Sequence, residues 1–238
     1  MAIPVIYEDD HFIVINKNAG LLSIPDRFDA LKENAYDLLS KHYESLYIVH
    51  RIDKDTSGLM IFAKDADSHK ILNDAFEQHQ IQKTYLALTE SQPLEDSGRI
   101  ELAIAHSISH PGKMVIHNKG KQSITDFKVI TRWKQFSLVE LSPLTGRTHQ
   151  IRIHLMHIGC PIICDPIYGI RNQLSIADIK RHSKLAKNDE QFRPLIERTA
   201  LHAFGLRFNL FGQSHQFEIE PPKDFRACIQ QLNKWQSI

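Results

Sequence analysis

The chain has 238 residues, of which 42% are hydrophobic and 24% charged, so it can bury the core of one large domain or two small ones. Its formal net charge is only +1, so a nucleic-acid partner would have to be held by local basic surface. Three cysteines argue against a disulfide framework and fit a reducing cytoplasm. We expect neither a signal peptide nor a transmembrane helix, because the N-terminus turns acidic at once and no apolar run could span a bilayer.

The hydrophobic pattern and the turn residues predict a β-rich chain. Strands are predicted at 4–7, 11–16, 47–50, 58–63, 83–89, 99–105, 114–117, 124–131, 136–142, 201–210 and 215–220. Helices are predicted at 31–42, 66–78, 148–158, 175–187 and 223–234. Asp65 or Asp67 is placed to cap the second helix, and Gly159 to end the third in a left-handed conformation.

Several of these strands follow one another through short links without a helix between them. This order favours an α+β fold, in which helices pack on a mostly antiparallel sheet. The sequence shows no sharp linker and no internal repeat, so we expect a single domain over residues 1–238. The polar tract at 171–199 has the character of a surface insertion within that domain.

The run from His50 to Gly58 places acids and bases between two short apolar segments. Two strands that hold a charged loop commonly present a catalytic group. Asp53 is flanked so closely by cations that we expect it to stay ionised at neutral pH. The loop alone leaves open whether Asp53 merely caps a turn or pairs with Lys54. Asp55 is the competing carboxylate.

Four segments, in this order along the chain, resemble the motifs of the RluA family of RNA pseudouridine synthases. They are the opening motif at 5–22, the HRIDKDTSG run at 50–58 with its apolar extension to Lys64, the QKTYLA strand at 82–87, and the third motif from GRTHQIRIH to DPIYG at 146–169. Four ordered motifs are far more specific than an HRxD run alone. One position departs from the family, because Asn18 stands where proline usually follows the lysine of the opening motif.

The resemblance implies a pseudouridine synthase catalytic fold: a large twisted mixed sheet in two halves, flanked by helices, with the active-site cleft between the halves. It also implies isomerisation of uridine to pseudouridine in structured RNA, without a cofactor or a metal. The bond from ribose C1′ to uracil N1 breaks and the base rejoins through C5, after the uridine has been flipped out of its stack. In the family the residue matched by Asp53 is catalytic, and its action as a nucleophile or as a base stays open.

The resemblance also assigns partners to Asp53. Arg147 pairs with the carboxylate and fixes its orientation. Tyr85 lies against the target base, on which its ring can stack. Arg51 fills the space that the flipped base leaves. We expect further contacts with RNA or with the active-site loops from these motif residues: His50, Thr56, Lys83, Thr148, Gln150 and Arg152.

Some of these residues have a second interpretation. We expect His50 to shape the loop rather than to transfer protons, and Thr148 and Gln150 to support the turn that carries Arg147. Arg152 is expected to meet either a phosphate or a structural acid. The helix at 148–158 has a polar face that we expect to point to RNA or solvent, formed by Arg147, Gln150, His154 and His157.

Local charge supports an RNA partner. Segments 113–134, 147–157 and 171–187 are strongly basic, although any one of them alone is more simply a solvated face. We expect large-subunit ribosomal RNA, transfer RNA or both as substrate of a cytoplasmic monomer with no membrane contact and no nucleotide cofactor. The S4-type RNA-binding module that often precedes the opening motif is not expected, because that motif begins at residue 4.

Other chemistries receive less support. A zinc site is disfavoured because the available ligand types lack a recognised spacing: His149, His154, His157, Cys160, Cys164 and Asp165. The sequence has no glycine-rich phosphate loop and no serine nucleophile elbow. Two alternatives stay open: a non-catalytic RNA-binding module on the same scaffold, and a metal-independent ribonuclease that uses His50 and Asp53. Cleavage would shorten RNA, whereas isomerisation leaves its length and mass unchanged.

Overall fold

The computed structural model describes residues 3–180 and 193–238. The chain divides into two compact units, Met1–Thr84 with His202–Glu220 and Tyr85–Leu201 with Pro221–Ile238. It passes from one unit to the other within strand β5 (Gln82–Thr89), at the start of strand β13 (Leu201–Leu210) and between Glu220 and Pro221. The expectation of one domain over residues 1–238 stays a prediction.

The first unit contains a mixed sheet. Its strands are β1 (Val5–Glu8), β2 (Phe12–Lys17), β3 (Tyr47–Ile48), β4 (Ser57–Ala63), β13 and β14 (Gln213–Glu218). Strand β4 lies at the centre, antiparallel to β2 and β3 and parallel to β13. Strand β1 pairs with β2, and β14 pairs with β13, both antiparallel.

Burial on both faces explains the continuous apolar run of β4. Leu59 and Ile61 pack in one core cluster, and Met60 and Phe62 pack in another, as side-chain alternation requires. Helix α2 (Ala66–Glu77) contributes Leu72 and Ala75 to the first cluster, and α1 (Ala35–Ser40) contributes Ala35 and Leu39 to the second. Of the two predicted caps of α2, Asp65 is the one that accepts the N–H of Ser68.

The second unit is built on antiparallel strands in the order β5, β10, β9, β6. Its elements after β5 are β6 (Ser97–Glu101), β7 (Ile104–His106), β8 (Met114–Ile116), β9 (Ile124–Arg132), β10 (Ser137–Pro143), α3 (Gln150–His157), β11 (Leu174–Ser175), α4 (Ile176–Ile179), β12 (Pro194–Ile196) and α5 (Lys223–Trp235). Strands β7 and β8 form a separate hairpin, and β11 pairs with β12. No helix in the described residues is long and apolar enough to cross a membrane.

The α+β class and the mostly antiparallel mixed sheet are confirmed, and Gly159 does end α3 with a φ of +77°. The strand predicted at 99–105 is two strands, because the chain leaves β9 after β6 and pairs with β8 as β7. Only α1 forms within the predicted helix at 31–42, because the side chains of Asp26 and Asp29 accept backbone N–H groups and turn the preceding segment. Within the predicted helix at 175–187, α4 covers its start, and residues 181–192 lie outside the described part of the chain.

Gly58 is required where β4 meets β13. Its φ is +115°, and a Cβ atom there would lie 2.2 Å from the carbonyl oxygen of Ala203. The two residues are paired in the parallel register of these strands. Any side chain would therefore force the strands apart immediately after the Asp53 loop.

We predict that Gly58→Ala lowers the free energy of unfolding by about 2–5 kcal/mol, through backbone strain and overpacking together. Gly112→Ala is the matched control, because Gly112 has a φ of +81° but open space around it. That change should cost only about 1–2 kcal/mol. Urea unfolding measures both, and equal losses would contradict the required close approach.

Candidate active site

The Asp53 loop joins β3 to β4 and is fixed at its backbone. The Thr56 N–H donates to the Asp53 carbonyl at 3.1 Å, which closes a tight turn. One residue earlier, the Ser23 hydroxyl donates to the Ile52 carbonyl at 2.6 Å and accepts the Ile52 N–H at 3.2 Å. Ile52 is buried whereas Asp53 is half-buried, so the turn presents the carboxylate from an anchored backbone.

Lys17 holds the same loop through hydrogen bonds from its ammonium group. Its side chain is fully buried at the end of β2, and its ammonium donates to the carbonyls of Asn18, Leu21 and Lys54 at 3.0, 2.6 and 2.9 Å. The N–H of Gly20 also donates to the Lys54 carbonyl, at 3.0 Å. A buried charge is costly unless it is well hydrogen-bonded, so these three acceptors tie the opening motif firmly to the Asp53 turn.

His50 completes the pairing of β4. Along one edge of β4, strand β3 pairs with Phe62 and Ala63, and β13 pairs with Ser57 and Gly58. Between them, the Ile61 N–H donates to Nε2 of His50 at 2.9 Å. The His50 ring also stacks on Phe76 of α2, with 4.5 Å between ring centroids.

This environment keeps His50 neutral. Burial, followed by the positive charge of Lys83, lowers the pKa of His50 to about 3. Its Nε2 lone pair already accepts a backbone hydrogen bond, so the imidazole is occupied in holding the loop to the strand. The geometry supports the interpretation in which His50 shapes the loop.

We predict that His50 makes the protein less stable in acid. Its pKa is lower when folded than the ordinary 6.5 of the unfolded chain, so the folded state binds fewer protons between these values. Its stabilising contribution is therefore present above pH 6.5 and is lost as the pH falls toward 3, at up to about 1.4 kcal/mol per pH unit.

Urea unfolding of the wild type and of His50→Gln at several pH values between 7 and 4 measures this slope. The variant should lose the part of the slope that His50 supplies, while the similar contribution of His154, whose pKa burial lowers to about 4, remains in both proteins. The same slope in both proteins would contradict the assignment.

The other predicted residues of the first unit differ in exposure. Arg51 is exposed and Thr56 is buried, and contact of either residue with RNA stays a prediction. Lys83 is half-buried on β5, and burial lowers the pKa of its amine. Ser57, which follows Thr56, is buried, and its hydroxyl is hydrogen-bonded to Nδ1 of His202 at 2.9 Å, which fixes the start of β4.

The second unit carries Arg147 and Tyr85. Arg147 is exposed on the loop between β10 and α3, and its Nε donates to the Gln122 carbonyl at 3.4 Å. Tyr85 is half-buried on β5, where it pairs in register with Leu141 of β10. The meeting of Asp53 with these two side chains stays a prediction.

Helix α3 differs from its predicted character. Every residue from Gln150 to Leu155 is buried, so the prediction of a polar face toward RNA or solvent is wrong for Gln150 and His154, whereas Arg147 and His157 are exposed. The buried polar side chains are bound to protein partners. The amide of Gln150 accepts the N–H of Arg147 at 3.0 Å and so supports the turn, and Thr148 lies half-buried within that turn.

Arg152 meets a structural acid, which was one of its two predicted partners. Its guanidinium makes a buried bidentate pair with Asp165 at 2.6 and 2.8 Å. Burial raises the pKa of Asp165, but hydrogen bonds and charge from Arg152, with the N–H groups of Ile167 and Tyr168, outweigh it, so the pKa lies below its usual range. Arg152 is thus placed to hold the third motif together rather than to reach a phosphate.

Two further cations of the basic segments are paired. Arg171 donates to the carboxylate of Glu90 at 2.7 and 2.9 Å, and Arg132 pairs with Asp96 at 2.9 Å. Among the zinc-type residues, His154 contacts Thr125 at 3.0 Å. No group of three metal-ligand side chains occurs within residues 3–180 and 193–238.

Sequence reasoning did not single out Lys17 or Ser23 as supports of the Asp53 turn. The sequence did contain a signal for Lys17, because a lysine at the end of an otherwise apolar strand is unusual. Lysine is rarely buried unless its ammonium has partners, so its position indicates a structural role. Its carbonyl partners lie in two loops far apart in sequence, so only the fold reveals them.

Comparison with known proteins identifies the family. The model of the RNA pseudouridylate synthase family matches residues 11–157. Ribosomal large subunit pseudouridine synthase D of Zymomonas mobilis is 34% identical over 243 residues, which cover 97% of this chain and 73% of that protein. The dual-specificity RNA pseudouridine synthase RluA of Vibrio vulnificus is 37% identical over 171 residues, 69% of this chain and 68% of that protein.

A solved structure of the same kind of enzyme is similar to this chain in fold and sequence. Human RNA pseudouridylate synthase domain containing 4 has a TM-score of 0.75 and 26% identity, covering 96% of this chain and 92% of that one. The fold and motifs thus define an enzyme that isomerises uridine in RNA. The chain belongs to the RNA pseudouridylate synthase family and, within it, to the RluA group.

Proposed function

We propose that this enzyme forms pseudouridine in large-subunit ribosomal RNA, with Asp53 as its catalytic carboxylate. One observation carries the assignment: the Asp53 turn is anchored by Lys17 and Ser23 while the carboxylate remains half-exposed beside Arg51. A reaction at the ribose needs an accessible group on a rigid backbone, because small displacements of the reacting atoms are expensive.

The reaction balances without an external reactant. The bond from C1′ to N1 breaks, the uracil turns, and C5 bonds to C1′. The proton of C5 then leaves and N1 takes up a proton, so the RNA keeps its length and mass. Asp53 assists either by attacking carbon or by removing a ribose proton, and both roles place its carboxylate against the sugar.

Three further side chains, two cationic and one aromatic, act with Asp53 in the proposed reaction. Arg147, exposed on its loop, pairs with Asp53 through its planar guanidinium. Tyr85 stacks on the flipped base, an interaction worth about 1–3 kcal/mol. Arg51 occupies the space left in the RNA stack.

The proposed substrate follows from the relatives and from local charge. One relative acts on the large ribosomal subunit by name, and another is named as dual-specific. Segment 102–125 has no acidic residue, and its Lys119 and Lys121 are exposed. We infer a phosphate-contacting surface there, with transfer RNA as a second substrate class. We also infer that the enzyme is a monomer in the cytoplasm, which its free cysteines Cys160, Cys164 and Cys228 suit.

We predict that Asp53→Asn lowers the rate of isomerisation by at least about a thousandfold, because the amide neither attacks carbon nor accepts a proton well. The measurement is tritium release from C5-labelled uridine in large-subunit ribosomal RNA taken from cells that lack this protein. The neighbouring carboxylate provides the matched control, and Asp55→Asn should keep a rate within about tenfold of wild type.

RNA binding by Asp53→Asn, measured by gel shift, should stay within about threefold of wild type. Normal tritium release from Asp53→Asn, or an equal loss in Asp55→Asn, would rule out the assigned role. A non-catalytic binding module would show no tritium release from the wild type. A ribonuclease would shorten the RNA, and His50 is poorly suited to that reaction because its Nε2 already accepts the Ile61 N–H.

The substrate prediction has its own test. Pseudouridine mapping by chemical labelling, in cells with and without this protein, should show loss of at least one modified position in large-subunit ribosomal RNA. A change confined to transfer RNA would reassign the substrate while leaving the chemistry intact. Unchanged maps of both RNA classes would contradict the proposal.

A further inference from the structure

The buried amide of Gln150 is one of the contacts that support the loop presenting Arg147. Gln150 is only 4% exposed. Its Oε1 accepts the Thr145 hydroxyl at 2.7 Å and the Arg147 N–H at 3.0 Å, and its Nε2 donates to the Ile124 carbonyl and to Oγ1 of Thr125, both at 2.9 Å. These four bonds use the full donor and acceptor capacity of the amide.

The network continues in one direction to His154. Oγ1 of Thr125 accepts from Gln150, so its own proton is free to point at Nδ1 of His154, 3.0 Å away. On the other side of the ring, Nε2 faces the Leu102 carbonyl at 3.4 Å. A carbonyl can only accept, so Nε2 carries the proton and Nδ1 is the acceptor.

Burial reinforces this assignment. The side chain of His154 is fully buried, and burial lowers its pKa to about 4, against a smaller opposing effect of the bond to Leu102. His154 is therefore neutral in one tautomer. The Gln150 amide has one orientation, because only its oxygen can accept the Arg147 N–H and only its nitrogen can donate to the Ile124 carbonyl. His154 orients the Thr125 hydroxyl, so that its oxygen accepts from the same amide nitrogen.

The Arg147 loop depends on this support because its conformation is unfavourable by itself. His149, at the start of α3, has a φ of +54° and makes no side-chain cap to the helix, and its Nδ1 lies 3.0 Å from the hydroxyl of Tyr168. A non-glycine residue persists in the left-handed region only where its surroundings hold it there. Gln150 follows directly, and its amide reaches back to the N–H of Arg147.

We propose that His154 is a positioning residue for the isomerisation: through Thr125 and Gln150 it fixes the backbone from which Arg147 presents its guanidinium. This inference rests on the proposed function, in which Arg147 orients Asp53. His154 touches neither RNA nor Asp53 in this role. Its loss slows the chemical step and spares RNA affinity, because the guanidinium is displaced rather than removed.

Two substitutions interrupt the hydrogen-bond network from Gln150 to His154 at different points. Thr125→Val removes the hydroxyl while keeping the β-branched shape that suits β9, and His154→Leu removes the acceptor. Each should lower the single-turnover rate of tritium release by about 10- to 100-fold, while the Kd for RNA stays within about twofold of wild type.

Conservative variants and a control on the same strand test the same hydrogen-bond network. Thr125→Ser keeps the hydroxyl, and His154→Asn keeps an acceptor near the position of Nδ1, so both should stay within about threefold of the wild-type rate. Thr131→Val lies on the same strand away from the network and should leave the rate unchanged. Urea unfolding verifies that every variant is folded under the assay conditions.

A double-mutant cycle separates positioning from general destabilisation. In an Arg147→Ala background, Thr125→Val and His154→Leu should cause no further slowing, because the residue that they position is gone. The double variant Thr125→Val/His154→Leu should be no slower than the slower single variant. A merely structural role would instead slow both backgrounds by the same factor.

Each outcome decides the question. Equal slowing in both backgrounds, or a wild-type rate in both Thr125→Val and His154→Leu, would overturn the inference and leave the proposed function standing. Full activity of Arg147→Ala would overturn the role of Arg147 and the inference with it. If one substitution prevents folding, the other still tests the network, since the two act at opposite ends of one hydrogen bond.

Discussion

The Asp53 loop depends on the hydrogen bonds that the buried ammonium of Lys17 donates to backbone carbonyls. It gathers carbonyl groups from the opening motif and from the turn after Asp53 around one charge. Carbonyl groups around an ammonium resist displacement, because separating them would leave a desolvated charge. The turn therefore has little freedom to reorganise when substrate arrives, which is the property that preorganised catalysis requires.

The fold class and most elements could be predicted because their signals are local. Apolar runs marked β4 and β10, and periodic spacing marked α2 and α5. The short pairing of β11 with β12 escaped prediction, because two- and three-residue strands carry almost no periodicity. The division of 99–105 into two strands depends on which partner each half meets, and this is decided by the fold.

Motifs named the candidate residues of the site, but they did not predict which of those residues are buried. Asp53 and Arg147 were named from their runs, whereas Gln150 and His154 were predicted on an exposed helix face and are buried. Arg152, whose partner was left open between a phosphate and an acid, is buried as well. Amphipathic patterns assume that polar side chains seek water. Here an acid, a hydroxyl and backbone groups replace water, and such partners lie too far apart in sequence to be recognised in advance.

The bond from Ile61 to His50 also limits how this chain can vary. His50 stands two residues after β3 and substitutes for a missing strand beside the middle of β4. An insertion between Ile48 and His50 would move the ring away and leave a buried N–H without its acceptor. The number of residues between the end of β3 and His50 is thus constrained, because the imidazole has to reach one backbone group in the middle of β4.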